Sequence, residues 1–178
     1  MEVRHGAEEV QGAHAMIVWK QIKPARLNEP GMRRAILSAM QETGKEIKKD
    51  FDRTTVTWKS RPEFEIVMSI TKGLELFVWT DNEIYGYVSE GTEEHVILPV
   101  NAKALRFREG YHAKTKPRVI QSFSGGPFGK VVFAAGVIHP GTEAREFAQV
   151  IQKKWQPRFK RRMEKAMGEA RQASGHAI

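Results

Sequence analysis

The chain has no cysteine among its 178 residues. That excludes disulfides, thiolate metal centres and a cysteine nucleophile, and it is compatible with a reducing compartment. It also lacks a hydrophobic run of the roughly 20 residues a bilayer span requires. The opening stretch MEVRHGAEEVQG is polar and bears acids, without the apolar segment of a secretory signal. The familiar catalytic spacings are missing as well: there is no HExxH pair and no GxSxG elbow. The glycine-rich SGGPFGK, Ser124–Lys130, stops short of a phosphate-binding loop, because Val131 follows the lysine where Ser or Thr is needed.

What the chain does have is positive charge. Lysine and arginine total 29 against 21 acids, a formal net charge of +8. Two segments concentrate it: Lys103–Arg118, with six basic residues and one acid, and Ile151–Ile178, with eight and two. Such a face attracts polyanions or an acidic protein partner. No zinc finger, homeodomain or RNA-binding aromatic motif accompanies it.

The length suits a single domain that can bury a core without staples. Residues 1–14 read as a flexible leader, 15–170 as one α+β domain and 171–178 as a frayed tail. Ala15–Ile22, AMIVWKQI, reads as a short strand or an apolar arm. Asn28 and Pro30 suit a helix start, and Ile36, Met40, Ile47 and Phe51 then recur at helical spacing. Gly44 within that helix suggests close approach of another backbone. From Thr54 the period changes: TTVTWK (Thr54–Lys59), Phe64–Ile70 and Leu74–Val78 predict three consecutive antiparallel strands. Asp81–Glu90 predicts a short helix with Ile84, Tyr87 and Val88 on one face, ended by Gly91.

Further on, His95–Leu98, Ala104–Phe107 and Lys130–Val137 read as strands. Ser122–Gly129 reads as a glycine-rich loop presenting Phe128. A cap at or near Thr142 opens the last helix. There Phe147, Ile151, Trp155, Phe159, Met163 and Met167 recur every four residues. Such a ladder drifts by about 40° per step. It must wind around the helix or be kinked by Pro157, so the helix should contact more than one surface. The whole predicts an α+β fold, a curved antiparallel sheet packed by an N-terminal and a long C-terminal helix.

Two stretches carry a shared pattern: SEGTEEHVILP (Ser89–Pro99) and VIHPGTEAREF (Val137–Phe147) each join a Gly-Thr turn to a histidine and acids. As a metal site, His95 and His139 with Glu93, Glu94 or Glu143 supply ligand types but no recognised spacing. As acid–base chemistry, Asp81 and Glu90 flank an aromatic-containing segment, yet linear spacing does not bring two carboxylates together. The reading adopted is structural, with no enzyme activity, metal or cofactor. Gly91, Thr92, His95, His139, Pro140, Gly141, Thr142 and Arg145 are assigned to turns. Phe123, Phe128, Trp155, Arg158, Arg161 and Arg162 are assigned to partner contact.

The order of motifs resembles the minor tail, or head–tail joining, family of tailed bacteriophages, also described as tail completion or neck proteins. The resemblance runs over roughly Glu29–Ala170. It rests on the amphipathic helix leading into TTVTWKSRPEF (Thr54–Phe64), IYGYVSEGTEEHVI (Ile84–Ile97), PVNAKALRF (Pro99–Phe107) and VIHPGTEAREF. Glu94 stands where relatives place a proline before the histidine, and Glu146 stands within their usual Arg-Pro-Phe.

The resemblance implies a structural virion protein with no catalytic residues, in which the two Gly-Thr stretches are corners lying close to each other or to a neighbouring subunit. Its copies would form a homo-oligomeric ring between the head connector and the tail tube, from subunits that can be monomeric in isolation. Its partners would be other neck, connector and tail proteins. Its place would be the head–tail junction or tail, and the host cytoplasm during assembly. No membrane contact is implied. A basic lining would suit non-specific contact with passing DNA, and a basic nucleic-acid-binding protein acting on phage DNA is the alternative.

Overall fold

The computed structural model describes residues 19–21, 30–69 and 73–173. The leader at 1–14, the helix cap at Asn28 and the last five residues of the tail lie outside the described residues. The elements in chain order are β1 (Trp19–Gln21), α1 (Pro30–Thr55), β2 (Glu65–Ser69), β3 (Leu74–Trp79), α2 (Glu83–Glu90), β4 (His95–Ile97), β5 (Leu105–His112), β6 (Gly126–Ala134), β7 (Val137–His139) and α3 (Phe147–Ala173).

The α+β class holds, but the single curved sheet does not. The strands form three separate antiparallel sheets: β1-β3-β2, the pair β4-β7 and the pair β5-β6. Three helices accompany them, the short one expected near Asp81–Glu90 and the two long ones. Among the described elements the three-stranded sheet packs against α1, and α1 packs along α3. Its third strand is β1, supplied from before the first helix: Trp19–Gln21 pair with Leu76–Leu74.

The predicted strand at Thr54–Lys59 is the end of α1 and a turn. Thr54 and Thr55 satisfy their hydroxyls helically, on the carbonyls of Phe51 and Asp52 at 2.6 and 3.2 Å. Burial of both threonines overrides their β propensity. The predicted strand Lys130–Val137 is two strands. It breaks at Ala135-Gly136, so that β6 pairs with β5 and β7 pairs with β4. The helix is also longer than expected at its C-terminus, since 171–173 remain helical.

The core lies where α1, α3 and β3 meet. Ile36, Met40, Ile47 and Phe51 of α1 face Ile151, Trp155, Phe159 and Met163 of α3 and Leu74, Leu76 and Val78 of β3. Gly44 lets the sheet come close. The neighbours are side chains rather than backbone: a Cβ there would stand 2.8 Å from Ile66 Cγ2. The four-residue ladder of α3 stays buried from Phe147 to Met163, after which the buried position shifts to Ala166. The ladder crosses two surfaces as it drifts. Phe147 packs on Tyr85 of α2, ring centroids 5.6 Å apart, whereas Trp155 meets α1. The helix continues through Pro157, which is exposed.

Tyr85 is the centre of an aromatic cluster, with Phe64 edge-on at 5.0 Å and Phe51 at 6.4 Å. Burial pushes its phenol well above the ordinary value, so it stays protonated and shares a hydrogen bond with Thr54 Oγ1 at 3.2 Å. One carboxylate lies between α1 and α3. Asp50 accepts from Trp155 Nε1 at 2.7 Å, Arg53 Nη1 at 2.9 Å and Lys154 Nζ. With three donors, a carboxylate only 2% exposed is satisfied.

Candidate interaction surface

The two Gly-Thr stretches meet. Thr92 and Thr142 exchange backbone hydrogen bonds, at 2.9 and 3.0 Å, and the Thr92 hydroxyl also accepts from Thr142 N–H at 3.0 Å. Both preceding glycines are needed for this. Gly91 (φ 84°) caps α2, and a Cβ there would lie 2.7 Å from the Thr142 carbonyl oxygen. Gly141 (φ 87°) sits against the Thr92 carbonyl oxygen so closely that a Cβ would overlap it. Positive φ and a carbonyl in the way leave room for glycine alone.

From this clamp β4 and β7 run side by side, with His95 opposite His139 and ring centroids 5.0 Å apart. Each ring engages its own turn: His95 Nδ1 lies 2.9 Å from the Glu93 carbonyl oxygen, and His139 Nδ1 accepts from Gly141 N–H at 3.1 Å. Pro140 is exposed between them and the clamp, and Thr142 serves the clamp rather than capping α3. Arg145 fastens the end. Its N–H lies 3.1 Å from the Ser89 carbonyl oxygen, and its side chain donates to Thr115 Oγ1 at 3.2 Å.

Residues 93–141 thus leave the core and return to it. Midway they touch down a second time. Ser122 N–H donates to the Arg53 carbonyl at 3.0 Å, and Lys114 Nζ donates to the Thr57 carbonyl at 2.9 Å. Phe123 is half-buried here beneath Lys116 Nζ, 5.0 Å from its ring centre. Between these attachments the two ribbons, β4-β7 and β5-β6, make no more than marginal contact with any other element.

The ribbons expose large apolar side chains. On β4-β7 the cross-strand pair Val96 and Ile138 is 63% and 66% exposed. On β5-β6, residues opposite each other share a face, and one face carries Arg106 opposite Phe133 and Arg108 opposite Val131. Phe133 is 66% exposed. The expected loop Ser122–Gly129 gives way to β6 from Gly126 onward, so Phe128 belongs to that strand. Its ring stacks on His112 at 4.2 Å and covers Gly110, where a Cβ would strike it. A register shift at Arg108/Gly110, with Gly129 at φ 80°, re-aims the strand, and Arg108 Nη1 holds the Gly129 carbonyl at 2.8 Å.

A second exposed apolar group lies on α2. Its buried positions are Tyr85, Gly86 and Ser89; Ile84 and Tyr87 are exposed on its outer side, whereas Val88, expected on their face, is half-buried against the core. Glu83 and Glu90 share that outer side. Neither this stripe nor the row of Phe133 and Val131 was visible as a surface in the sequence. A short helix of mixed apolar residues has two plausible inner faces, and a ribbon apolar on alternate positions looks like a core strand.

The basic last helix is partly engaged within the chain. Trp155 is buried, 3% exposed, so it packs inside the fold. Lys154, Arg158 and Arg162 lie over its ring at 5.3–5.5 Å. Arg162 also donates to Glu46 at 2.8 Å, bracing α3 on α1. Arg158 and Arg161 are exposed.

Among the described residues no cluster of three or more histidines and carboxylates could hold a metal ion. Likewise, no described helix is long and apolar enough to cross a membrane. Comparison with protein-family models, curated proteins and solved structures finds no match.

Proposed function

We propose that the chain is a structural virion protein of a tailed bacteriophage, one of the head–tail joining proteins. Its copies would form a ring between the head connector and the tail tube. The observation that carries this reading is the pair of ribbons. A two-stranded ribbon is marginal in water on its own. These two stand away from the core with large apolar side chains uncovered, which supports burial against neighbouring subunits. The order of sequence motifs supplies the identity of the neighbours: connector, neck and tail proteins. In this reading the chain works by assembly, in the host cytoplasm and then at the head–tail junction, without catalysis or a cofactor.

The test is quantitative mass spectrometry of purified, nuclease-treated phage or induced prophage particles from the source. A neck ring predicts a small, fixed number of copies per particle, roughly a few to a dozen, as a closed ring requires. Absence from intact particles, with the protein present in the lysate, would overturn the reading.

Nucleic-acid binding is the second reading, favoured by the net charge of +8. It predicts affinity for duplex DNA that falls steeply with salt. The use of Lys154 and Arg162 to hold α3 on α1 weakens it.

A further inference from the structure

Charge is segregated along the excursion and its approach. Residues 81–94 contain five carboxylates and no lysine or arginine, whereas 103–134 contain seven lysines and arginines against one carboxylate, Glu109. The two surfaces also match in apolar character. The outer side of α2 sets Ile84 and Tyr87, 61% and 54% exposed, beside Glu83 and Glu90. The outer face of β5-β6 sets Phe133 and Val131, 66% and 40% exposed, beside Arg106 and Arg108. Each is an apolar strip with charges of one sign, and the signs are opposite.

We propose that the Arg106/Arg108/Val131/Phe133 face of one copy docks on the Glu83/Ile84/Tyr87/Glu90 stripe of a second copy. The proposal rests on the ring reading and names the contact that would build the ring. Both faces point outward in one chain, so they meet only between chains. Because the two surfaces differ, the contact is heterologous, and repeating it closes a ring when the rotation permits. The ribbon's standing off from the core gives it reach to a neighbour. Opposite charges flanking apolar contacts fix register and disfavour face-to-like-face pairing.

The experiment uses the full chain in four forms: parent, Arg106→Glu/Arg108→Glu, Glu83→Arg/Glu90→Arg, and an equimolar mixture of the two variants. All substituted residues are exposed, and circular dichroism checks that each form folds. Self-association is read by sedimentation over a wide concentration range. Since the chain has no cysteine, it is also read by disulfide capture between Tyr87→Cys and Val131→Cys copies mixed one to one.

Each single-face variant should associate about tenfold or more weakly than the parent, with association restored in the mixture. The mixed cysteine variants should give cross-species dimers in clear excess over like pairs. Association of the parent that neither variant disturbs would overturn this contact while leaving the ring reading standing. Absence of association and of cross-species capture at every concentration would overturn the contact, and the particle measurement would then decide the ring reading by itself. Salt-sensitive DNA binding lost in Arg106→Glu/Arg108→Glu, without self-association, would overturn the contact in favour of a nucleic-acid face.

Discussion

Arg118 and Glu146 both hold left-handed backbone, φ 60° and 54°, and their side chains pair with each other: Nε to Oε2 at 2.7 Å, Nη2 to Oε1 at 3.3 Å. No other described non-glycine residue has positive φ. The pair stitches the midway loop of the excursion to the start of α3, next to the Arg118 N–H bond to the Arg145 carbonyl at 2.9 Å. Two unfavourable backbone conformations therefore persist at one junction, where neighbouring hydrogen bonds hold them.

That pair predicts a pH signature. The Arg118 hydrogen bond and charge hold the Glu146 carboxyl below its ordinary value of 4.5. A depressed carboxylate stabilises the fold above its unfolded pKa, and the contribution is lost as pH falls through the folded one. Glu146→Gln should therefore melt slightly below the parent at neutral pH. The gap should close as pH falls below 4.5 and the parent's carboxylate is protonated too. Thermal melts across that range check it. A constant gap would show that the carboxylate charge is not the source.

Asp50 predicts the largest single loss. Asp50→Ala would leave Trp155 Nε1 buried without its acceptor and remove the partner of Lys154 and Arg53. Breaking a buried pair in this way costs about 3–5 kcal/mol. Urea unfolding of parent and variant measures it.

Two glycines within helices should respond in opposite directions. Gly168 has nothing within 4 Å of a built Cβ, so Gly168→Ala should stabilise by about 0.5–1 kcal/mol through helix propensity. Gly44→Ala would press on Ile66 and Leu76, at 2.8 and 3.1 Å. Overpacking of about 1–3 kcal/mol outweighs a gain of about 1 kcal/mol. The same denaturation assay ranks the pair.

The ribbons predict an exchange pattern. In the unassembled chain, amides of β4-β7 and β5-β6 should exchange well before those of α1 and α3, because local openings need not disturb the core. Assembly should slow exchange in β5-β6 and α2 together. Hydrogen exchange with mass spectrometry reads both states. Equal protection of ribbon and core in the monomer would contradict the picture of ribbons standing apart.

The helices were the legible part of the fold. Pro30 and the spacing of Ile36, Met40, Ile47 and Phe51 announce α1, and the ladder from Phe147 announces α3 and its contact with two surfaces. Gly91 ends α2 as its type suggests. What failed was pairing. β1 joins β3 across the whole of α1, and β7 returns to β4 after a long excursion, so neither partnership leaves a local pattern. The Gly-Thr stretches were legible as corners lying close to each other or to a neighbouring subunit, and Thr92 does pair with Thr142; the two carbonyls that approach the two glycines are a fact of three dimensions. Asp50 was hidden for a similar reason: an acid on a helix looks solvated until Trp155 is seen beside it.

The bond between Asp50 and Trp155 joins residues 105 positions apart. On a ribosome adding about 5–20 residues each second, α1 precedes its covering helix by roughly 5–20 s. For that interval Ile36, Met40, Ile47 and Phe51 lack the side of their cover that α3 supplies, although Thr142 and Arg145, which fasten the excursion, precede α3 in the chain. A nascent chain halted before α3 therefore holds every residue that fastens the excursion but has no closed core. Arrival of the last helix closes the core and sets Phe147 against Tyr85, so α2 takes its final seat only in chains translated through α3.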